Sequence, residues 1–344
     1  MNSENFSNAL YKTSTCSAEH ETLQTDGSHE ALFTASAGQD HKVKPVIPVI
    51  TGPTASGKTG AAVRFALEHN GEIISADSMQ IYREMNIGTA KPSEEEQQGI
   101  PHHLIDMVNP DQPYSVSQFR SDAIDKIDEI LKRGKMPVVC GGTGLYISAL
   151  TLPFDLETEN TDPEIRAGLE QMARTDPEQL YARLQEADPE SAAAIHPHNL
   201  KRLVRALEVY EVSGKPKSQL DREGRKKELP YDFRLFAPQI ERPLLYERIE
   251  LRVDLMLEQG LLDEARQLLS KYSRDLMSMQ AIGYKELYPY LDGQESLEEA
   301  VRILKRDTRR FAKRQLTWFR RDSRIRPLSE LSEPGSLAQQ GSFE

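Results

Sequence analysis

Gly52-Pro53-Thr54-Ala55-Ser56-Gly57-Lys58-Thr59 has the glycine-x4-glycine-lysine-threonine spacing of a phosphate cradle. The context is the one the motif needs, between an apolar run, Val46–Thr51, and a helix-compatible stretch, Lys58–His69. The glycines let backbone N–H groups turn inward around phosphate oxygens, and the helix start adds its positive end. Lys58 is expected to reach the terminal phosphate and the Thr59 hydroxyl to ligate Mg²⁺. The motif establishes diphosphate binding but not which bond breaks. A terminal phosphoryl group could be transferred, as in a small-molecule kinase. Alternatively the diphosphate could leave, its developing charge stabilised by the cradle and Mg²⁺ as an allylic carbon departs.

A second candidate is Asp77, at the end of a predicted strand, Glu72–Ala76. A carboxylate there points into the ligand crevice of a parallel sheet. It could ligate Mg²⁺, although it follows Lys58 unusually closely for that role. It could act as general base for a nucleophile facing the cradle, or merely cap a helix. His102 and His103 are adjacent, so their side chains diverge, and no Cys or third His has ligand spacing. They are expected to be structural or substrate-orienting. Cys16 and Cys140 lie too far apart in sequence to suggest a disulfide framework or a metal cluster.

These residues need a scaffold. Met136–Cys140 reads as a third strand, preceded by an amphipathic helix, Val116–Arg133; Pro48 suggests that the first strand is only the second half of Val46–Thr51. Strands alternating with helices imply an α/β fold, a P-loop NTPase-like parallel sheet with helices on both faces. From about Thr151 to Lys227 helical segments broken at Pro163, Pro177, Pro189 and Pro197 take over, and a strand-like run, Phe233–Ala237, then returns. The expected organisation is a core of residues 45–150 and 228–328, interrupted by a helical insertion over 151–227. Residues 1–44, Ser/Thr/Glu-rich and without arginine, read as a disordered extension rather than a signal or transit peptide, and 329–344 as a tail.

The chain of 344 residues is 38% hydrophobic and 28% charged. No run approaches the roughly 18 apolar residues of a membrane helix; the two distant cysteines fit a reducing cytoplasm, and a monomer is expected because no spare apolar stripe is evident. The net charge of −11 argues against a nucleic-acid partner, but the average misleads. Between Arg302 and Arg326 stand eleven basic residues and two acidic ones, on a helix expected over Leu297–Arg321. Val301, Leu304, Thr308, Phe311, Gln315 and Trp318 form one mostly apolar stripe of that helix. Arg302, Arg306, Arg310 and Lys313 fall on the opposite arc and are expected to meet phosphates.

Longer blocks add a resemblance. Ile74-Ser75-Ala76-Asp77-Ser78-Met79-Gln80-Ile81-Tyr82, Ile87-Gly88-Thr89-Ala90-Lys91-Pro92, Pro101–Asp106 and Gly141-Gly142-Thr143-Gly144-Leu145-Tyr146 are similar to the tRNA dimethylallyltransferase family. So are Arg202–Tyr210, Arg252-Val253-Asp254, Ala281–Glu286 and Ala312–Arg320, in the family's order over about residues 45–322. The chain resembles the shorter bacterial type, without the C-terminal zinc finger of eukaryotic members.

The resemblance implies transfer of a dimethylallyl group from dimethylallyl diphosphate to the exocyclic amine of the adenosine 3′ to the tRNA anticodon. Gly52, Pro53, Thr54, Ala55, Ser56, Gly57, Lys58 and Thr59 would hold the diphosphate, with Mg²⁺ as cofactor. Asp77 would be the general base, Thr54 would help position the reacting groups, and Arg252 would pair with the leaving diphosphate. Asp77, Ser78, Met79, Gln80 and Thr143 match contacts to the flipped base and its loop. Arg166 and the segment Lys201, Arg202, Leu203, Val204 and Arg205 match contacts of the insertion with the anticodon stem-loop. Two other readings stay beside this one: a P-loop kinase for a nucleotide or metabolite, and a non-catalytic RNA binder switched by nucleotide.

Overall fold

The computed structural model describes residues 44–153, 162–224, 226–333 and 337. These fall into two compact units. The first comprises the described residues of Met1–Ser115, Ser121–Ile147 and Tyr231–Glu344, and the second those of Val116–Arg120 and Ser148–Pro230.

The first unit is built on a six-stranded, all-parallel sheet. Its strands are β1 (Val46–Thr51), β2 (Gly71–Ser75), β3 (His102–His103), β4 (Met136–Gly141), β5 (Asp232–Ala237) and β6 (Arg326–Pro327), in the order β3-β2-β4-β1-β5-β6. β1 is buried from Ile47 onward, as a central strand covered on both faces must be. The proline in β1 does not shorten it, contrary to expectation. Pairing with β4 begins only at Val49, so Pro48 has β5 alone as a neighbour and its missing N–H leaves the β4 ladder intact. β3 and β6, two residues each, were not expected; they are too short for any periodicity to show.

The helices, in chain order, are α1 (Lys58–Glu68), α2 (Glu94–Gln97), α3 (Val116–Lys132), α4 (Gly144–Thr151), α5 (Pro163–Thr175), α6 (Pro177–Ala187), α7 (Pro189–Ala194), α8 (Leu200–Ser213), α9 (Lys217–Gly224), α10 (Arg242–Glu258), α11 (Leu261–Lys271), α12 (Tyr288–Leu291) and α13 (Leu297–Phe319). α1 packs Ala62, Val63, Phe65 and Ala66 against Ile50, Ile73, Val138 and Phe236 of the sheet. Leu331, within the stretch expected to be a tail, joins this core. Leu245 and Ile249 of α10 meet Ala312 of α13 over Ala55. Close to the outer edge of the sheet, the buried Glu72 carboxylate accepts hydrogen bonds from His103 (2.7 Å) and Arg133 (2.5 Å) and pairs with Lys135 (2.9 Å). Burial opposes its ionisation, but the three partners outweigh it and hold the carboxyl down at about 2.

In the second unit the prolines expected to break helices begin them. Pro163, Pro177 and Pro189 each occupy the first helical turn, directly after an aspartate. Asp162, Asp176 and Asp188 accept N–H bonds from that turn, so each Asp-Pro step is a complete start signal. Leu169, Leu180, Leu184, Leu203, Val204 and Leu207 form the core of this unit.

Candidate active site

The cradle closes because its backbone takes conformations that side chains rarely allow. Gly52 and Gly57 have φ of 138° and 86°, and Ala55 adopts a left-handed φ of 61°. α1 starts at Lys58, so its first N–H groups face the loop.

Lys58, Asp77 and Thr143 meet because β1, β2 and β4 end at one level. Thr51 is in register with Gly141, and Ser75 with Cys140. At Gly141 a Cβ would lie 2.2 Å from the Ala76 carbonyl oxygen, so only glycine lets the ends of β2 and β4 approach. The Ala76 N–H donates to Cys140 O (2.8 Å), and Thr143 N–H returns to Ala76 O (3.2 Å). Thr143 Oγ1 then accepts from the Ser78 N–H at 3.0 Å.

A cavity of about 310 Å³ opens at these ends. Thr54, Lys58, Thr59, Asp77, Ser78, Met79, Gln80, Thr143 and Arg252 line it, so the structure brings together most of the site residues expected from the sequence. Gly52, Pro53, Ala55 and Ser56 are buried in the turn of the cradle. Gly57 is exposed, with the Arg248 guanidinium 3.9 Å from where its Cβ would be. The Lys58 ammonium donates to Pro53 O (3.3 Å), and burial lowers its pKa, opposed by the charge of Asp77. A desolvated ammonium close to a second cation, Arg252, suits a polyanionic ligand. Asp77 Oδ1 accepts from the N–H groups of Met79 (2.9 Å) and Gln80 (3.4 Å). Oδ2 has no hydrogen-bond partner among the described residues, so one carboxylate oxygen is held and the other is available.

Three further features were not foreseen. Gln315, counted with an apolar stripe, is instead a buried strut: its Oε1 accepts from Thr54 N–H (2.9 Å) and its Nε2 donates to Gly142 O (2.8 Å). A buried amide on an otherwise apolar helix face was the available signal. Leu304, Thr308 and Phe311 of that stripe face the cavity with Ile249, Val253 and Met256 of α10, and make one side of it apolar.

The third feature is a clamp on the loop after Met85. The Glu264 carboxylate accepts from the N–H groups of Asn86, Ile87 and Gly88, each at 2.9 Å, and from the Tyr284 hydroxyl at 2.8 Å. Tyr284 is so close to Gly88 that a Cβ there would come within 2.4 Å of its ring. The same loop accepts from Gln80 Nε2 at Thr89 O (3.3 Å) and Ala90 O (3.1 Å).

Cys140 also lines the cavity, with its thiol pushed up to about 11 by burial, and is therefore inert. His102 is held neutral by burial, with Nδ1 against Ile100 O (2.8 Å) and Nε2 buried without a partner among the described residues. His103 is tied to Glu72, which fits the first of the two roles expected for it, structural or substrate-orienting.

The remaining expected residues lie in the second unit. Lys201 and Arg202 are exposed on α8. Arg166 (3.5 Å) and Arg205 (2.9 Å) pair with the buried Glu208. Leu203 and Val204, expected to contact RNA, are 0% and 4% exposed. Their side chains hold α8 to its own core, a correction that follows from the 3.6-residue period of the helix.

A family model described as IPP transferase matches residues 80–322, and one described as isopentenyl transferase matches residues 45–109. A protein of Acetivibrio thermocellus named tRNA dimethylallyltransferase is 52% identical over 275 residues, covering 79% of this chain and 88% of the relative. The Bacillus subtilis protein of that name is 48% identical over 286 residues, covering 83% and 91%. The crystal structure of a tRNA isopentenylpyrophosphate transferase from Bacillus halodurans is 45% identical with a TM-score of 0.61, covering 83% of this chain and 89% of that one. That of a eukaryotic dimethylallyltransferase acting on tRNA is 31% identical with a TM-score of 0.73, covering 86% and 76%.

Proposed function

The chain belongs to the tRNA dimethylallyltransferase family, and from that premise we propose that it transfers the dimethylallyl group of dimethylallyl diphosphate to the exocyclic amine of the adenosine 3′ to the anticodon in tRNA. The observation that carries this beyond family membership is the two-sided cavity. Lys58, Thr59 and Arg252 offer a site for diphosphate, while Ile249, Val253, Met256, Leu304 and Phe311 offer one for hydrocarbon. A kinase would have to seat a polar acceptor against that second wall, at the cost of stripping its water.

In the proposed reaction the adenine is flipped out of its stack into the cavity, since its amine is otherwise out of reach. The amine nitrogen forms a bond to the allylic carbon while the carbon–oxygen bond to diphosphate breaks. Lys58, Arg252 and the N–H groups at the start of α1 take up the charge that develops on the leaving oxygen. The proton released by the amine passes to the available oxygen of Asp77, whose other oxygen is fixed by the Met79 and Gln80 N–H groups. Thr54, tied to Gln315, keeps the cradle at a constant distance from the Gly142 turn.

Magnesium fits the donor set. Among the described residues no cluster of three or more His, Cys, Asp or Glu could hold a metal unaided, and Mg²⁺ bound with a diphosphate takes most of its ligands from phosphate and water. Thr59, a hard oxygen donor in the cavity, would supply the protein ligand, and the ion would neutralise diphosphate charge.

RNA binding would also involve Ser78, Met79, Gln80 and Thr143, and Lys201, Arg202, Arg166 and Arg205 of the second unit. None of the described helices is long and apolar enough to cross a membrane, and a cytoplasmic monomer fits the reading. The test is transfer of label from dimethylallyl diphosphate to unmodified tRNA, with Mg²⁺ and without ATP. Label in an anticodon-loop adenine is the expected result. ATP turnover with a phosphorylated product and no prenylated RNA would replace this reading with the kinase one.

A further inference from the structure

Charge is shared unevenly between α10 and α13. Within α13, Arg302 pairs with Glu299, and Arg306 and Arg310 with Asp307, so most of the arc expected to meet phosphates is compensated. Between the helices, Glu250 and Asp254 of α10 take Arg309 and Lys305. Arg248 and Arg252 of α10 are left with neither an ion pair nor a hydrogen bond among the described residues.

These two arginines are four residues apart, so they stand one above the other on the helix, where like charges repel. Lys58 and the positive end of α1 add to that repulsion. Arg252 lines the reaction cavity and Arg248 does not. Arg248 is half-buried one turn nearer the start of α10, with its Nη1 3.9 Å from where a Cβ of Gly57 would be. Gly57 is the exposed lip of the cradle, directly before the first residue of α1. One guanidinium thus stands at the cradle from outside and the other from within. Beside Gly57, the Ser56 hydroxyl is buried without a partner among the described residues, so this end of the cradle holds a donor that a phosphate oxygen would satisfy.

Met256 continues the row by four more residues and belongs to the apolar wall. At about 6 Å per step, Arg248, Arg252 and Met256 follow the order of a prenyl diphosphate read from its outer end: phosphate, phosphate, hydrocarbon. A guanidinium also matches phosphate geometry with two parallel N–H donors. We propose that Arg248 binds the outer phosphate of the donor, the one not bonded to the prenyl carbon, and so makes the site select a diphosphate over a monophosphate. This rests on the reading of the donor as a prenyl diphosphate and adds to that site a residue outside both the cradle and the cavity lining.

The test uses the full chain with Mg²⁺ and inorganic pyrophosphate as the probe, with binding read by calorimetry. Arg248→Ala should weaken pyrophosphate about five- to fiftyfold, the loss of one partly exposed charge-assisted contact. Arg248→Lys should recover only part of this, since an ammonium keeps the charge but not the two-pronged geometry. Arg242→Ala, which removes an exposed cation from the start of the same helix, should bind like the wild type. In transfer assays Arg248→Ala should raise the KM for dimethylallyl diphosphate by the same factor, with a smaller fall in kcat. The Ki of dimethylallyl monophosphate as a competitive inhibitor should move less than twofold. Pyrophosphate affinity within twofold of wild type for Arg248→Ala, an equal loss in Arg242→Ala, or a parallel rise in the monophosphate Ki overturns the assignment. Should Arg248→Ala fail to fold, Arg248→Gln decides by the same criteria. A wild type that prenylates RNA while the Arg248 variants bind pyrophosphate normally sinks the role of Arg248 alone; a wild type that binds pyrophosphate but prenylates no RNA sinks the donor reading with it.

Discussion

The two walls of the reaction cavity are made by different means. The polar wall is carried by backbone turns after β1, β2 and β4, fixed by strand register and by glycines at Gly52, Gly57 and Gly141, where a side chain is strained or has no room; these turns place Lys58, Thr59 and Asp77, and α10 adds Arg252. Its turns are held by backbone hydrogen bonds and strand register rather than by side-chain rotamers. The apolar wall is side chain, from α10 and α13, whose Met256, Leu304 and Phe311 can change rotamer without moving a helix. Charge development demands fixed dipoles, whereas a hydrocarbon asks only for water to be excluded. The difference between the walls follows the difference between the two halves of the proposed donor.

Substitutions should separate the walls in order of severity. Lys58→Ala should abolish transfer and weaken diphosphate binding while circular dichroism and the melting temperature stay close to wild type. A normal transfer rate would remove the cradle from the chemistry. Asp77→Ala should lower kcat about a hundred- to ten-thousandfold with little change in diphosphate affinity, and a loss below threefold would take the general-base role from it. Glu264→Ala leaves three loop N–H groups without their acceptor, each worth about 1 kcal/mol or more if it stays buried. A fall of about tenfold in kcat, with a smaller change in donor KM, is expected from displacement of the loop that holds Gln80. Met256→Ala should act on the apolar wall alone, raising donor KM about fivefold and leaving RNA affinity unchanged. An equal effect on RNA affinity would mean that the walls are not separable.

The smallest effect on turnover at neutral pH should come from Glu72, which anchors the sheet edge from which β2 delivers Asp77. Its carboxyl titrates at about 2, below the ordinary 4.5, so it contributes stability that is fully present above about pH 4.5 and is lost as pH falls toward 2. The shift corresponds to about 3 kcal/mol. The melting temperature should fall through that window, and Glu72→Gln should flatten the fall while lowering stability at pH 7.

The polar wall was the legible one. Gly52–Thr59 declares itself by spacing, and Asp77 by its place at the end of a strand, because both signals are local. The apolar wall was not, since nothing near Met256 or Phe311 in the sequence says that α10 and α13 will face a ligand rather than a core. Gln315 and Glu264 were missed for the same reason: their partners, Thr54 and Asn86–Gly88, lie far away along the chain. The second unit shows the reverse error. The family resemblance spans Lys201–Arg205 as one segment, but a helix sends Leu203 and Val204 inward while Lys201 and Arg202 face solvent.

The long helix α13 also sets a phase that the rest of the chain cannot correct. Leu304, Thr308, Phe311 and Gln315 must face the cavity and Trp318 must meet Gly144. One residue added between Leu304 and Trp318 would turn everything beyond it by about 100° and advance it by about 1.5 Å. Seven would nearly restore the orientation but carry Trp318 about 10 Å past its seat. Length change in this helix is therefore closed to the protein in both small and large steps, and new specificity here has to come by substitution alone.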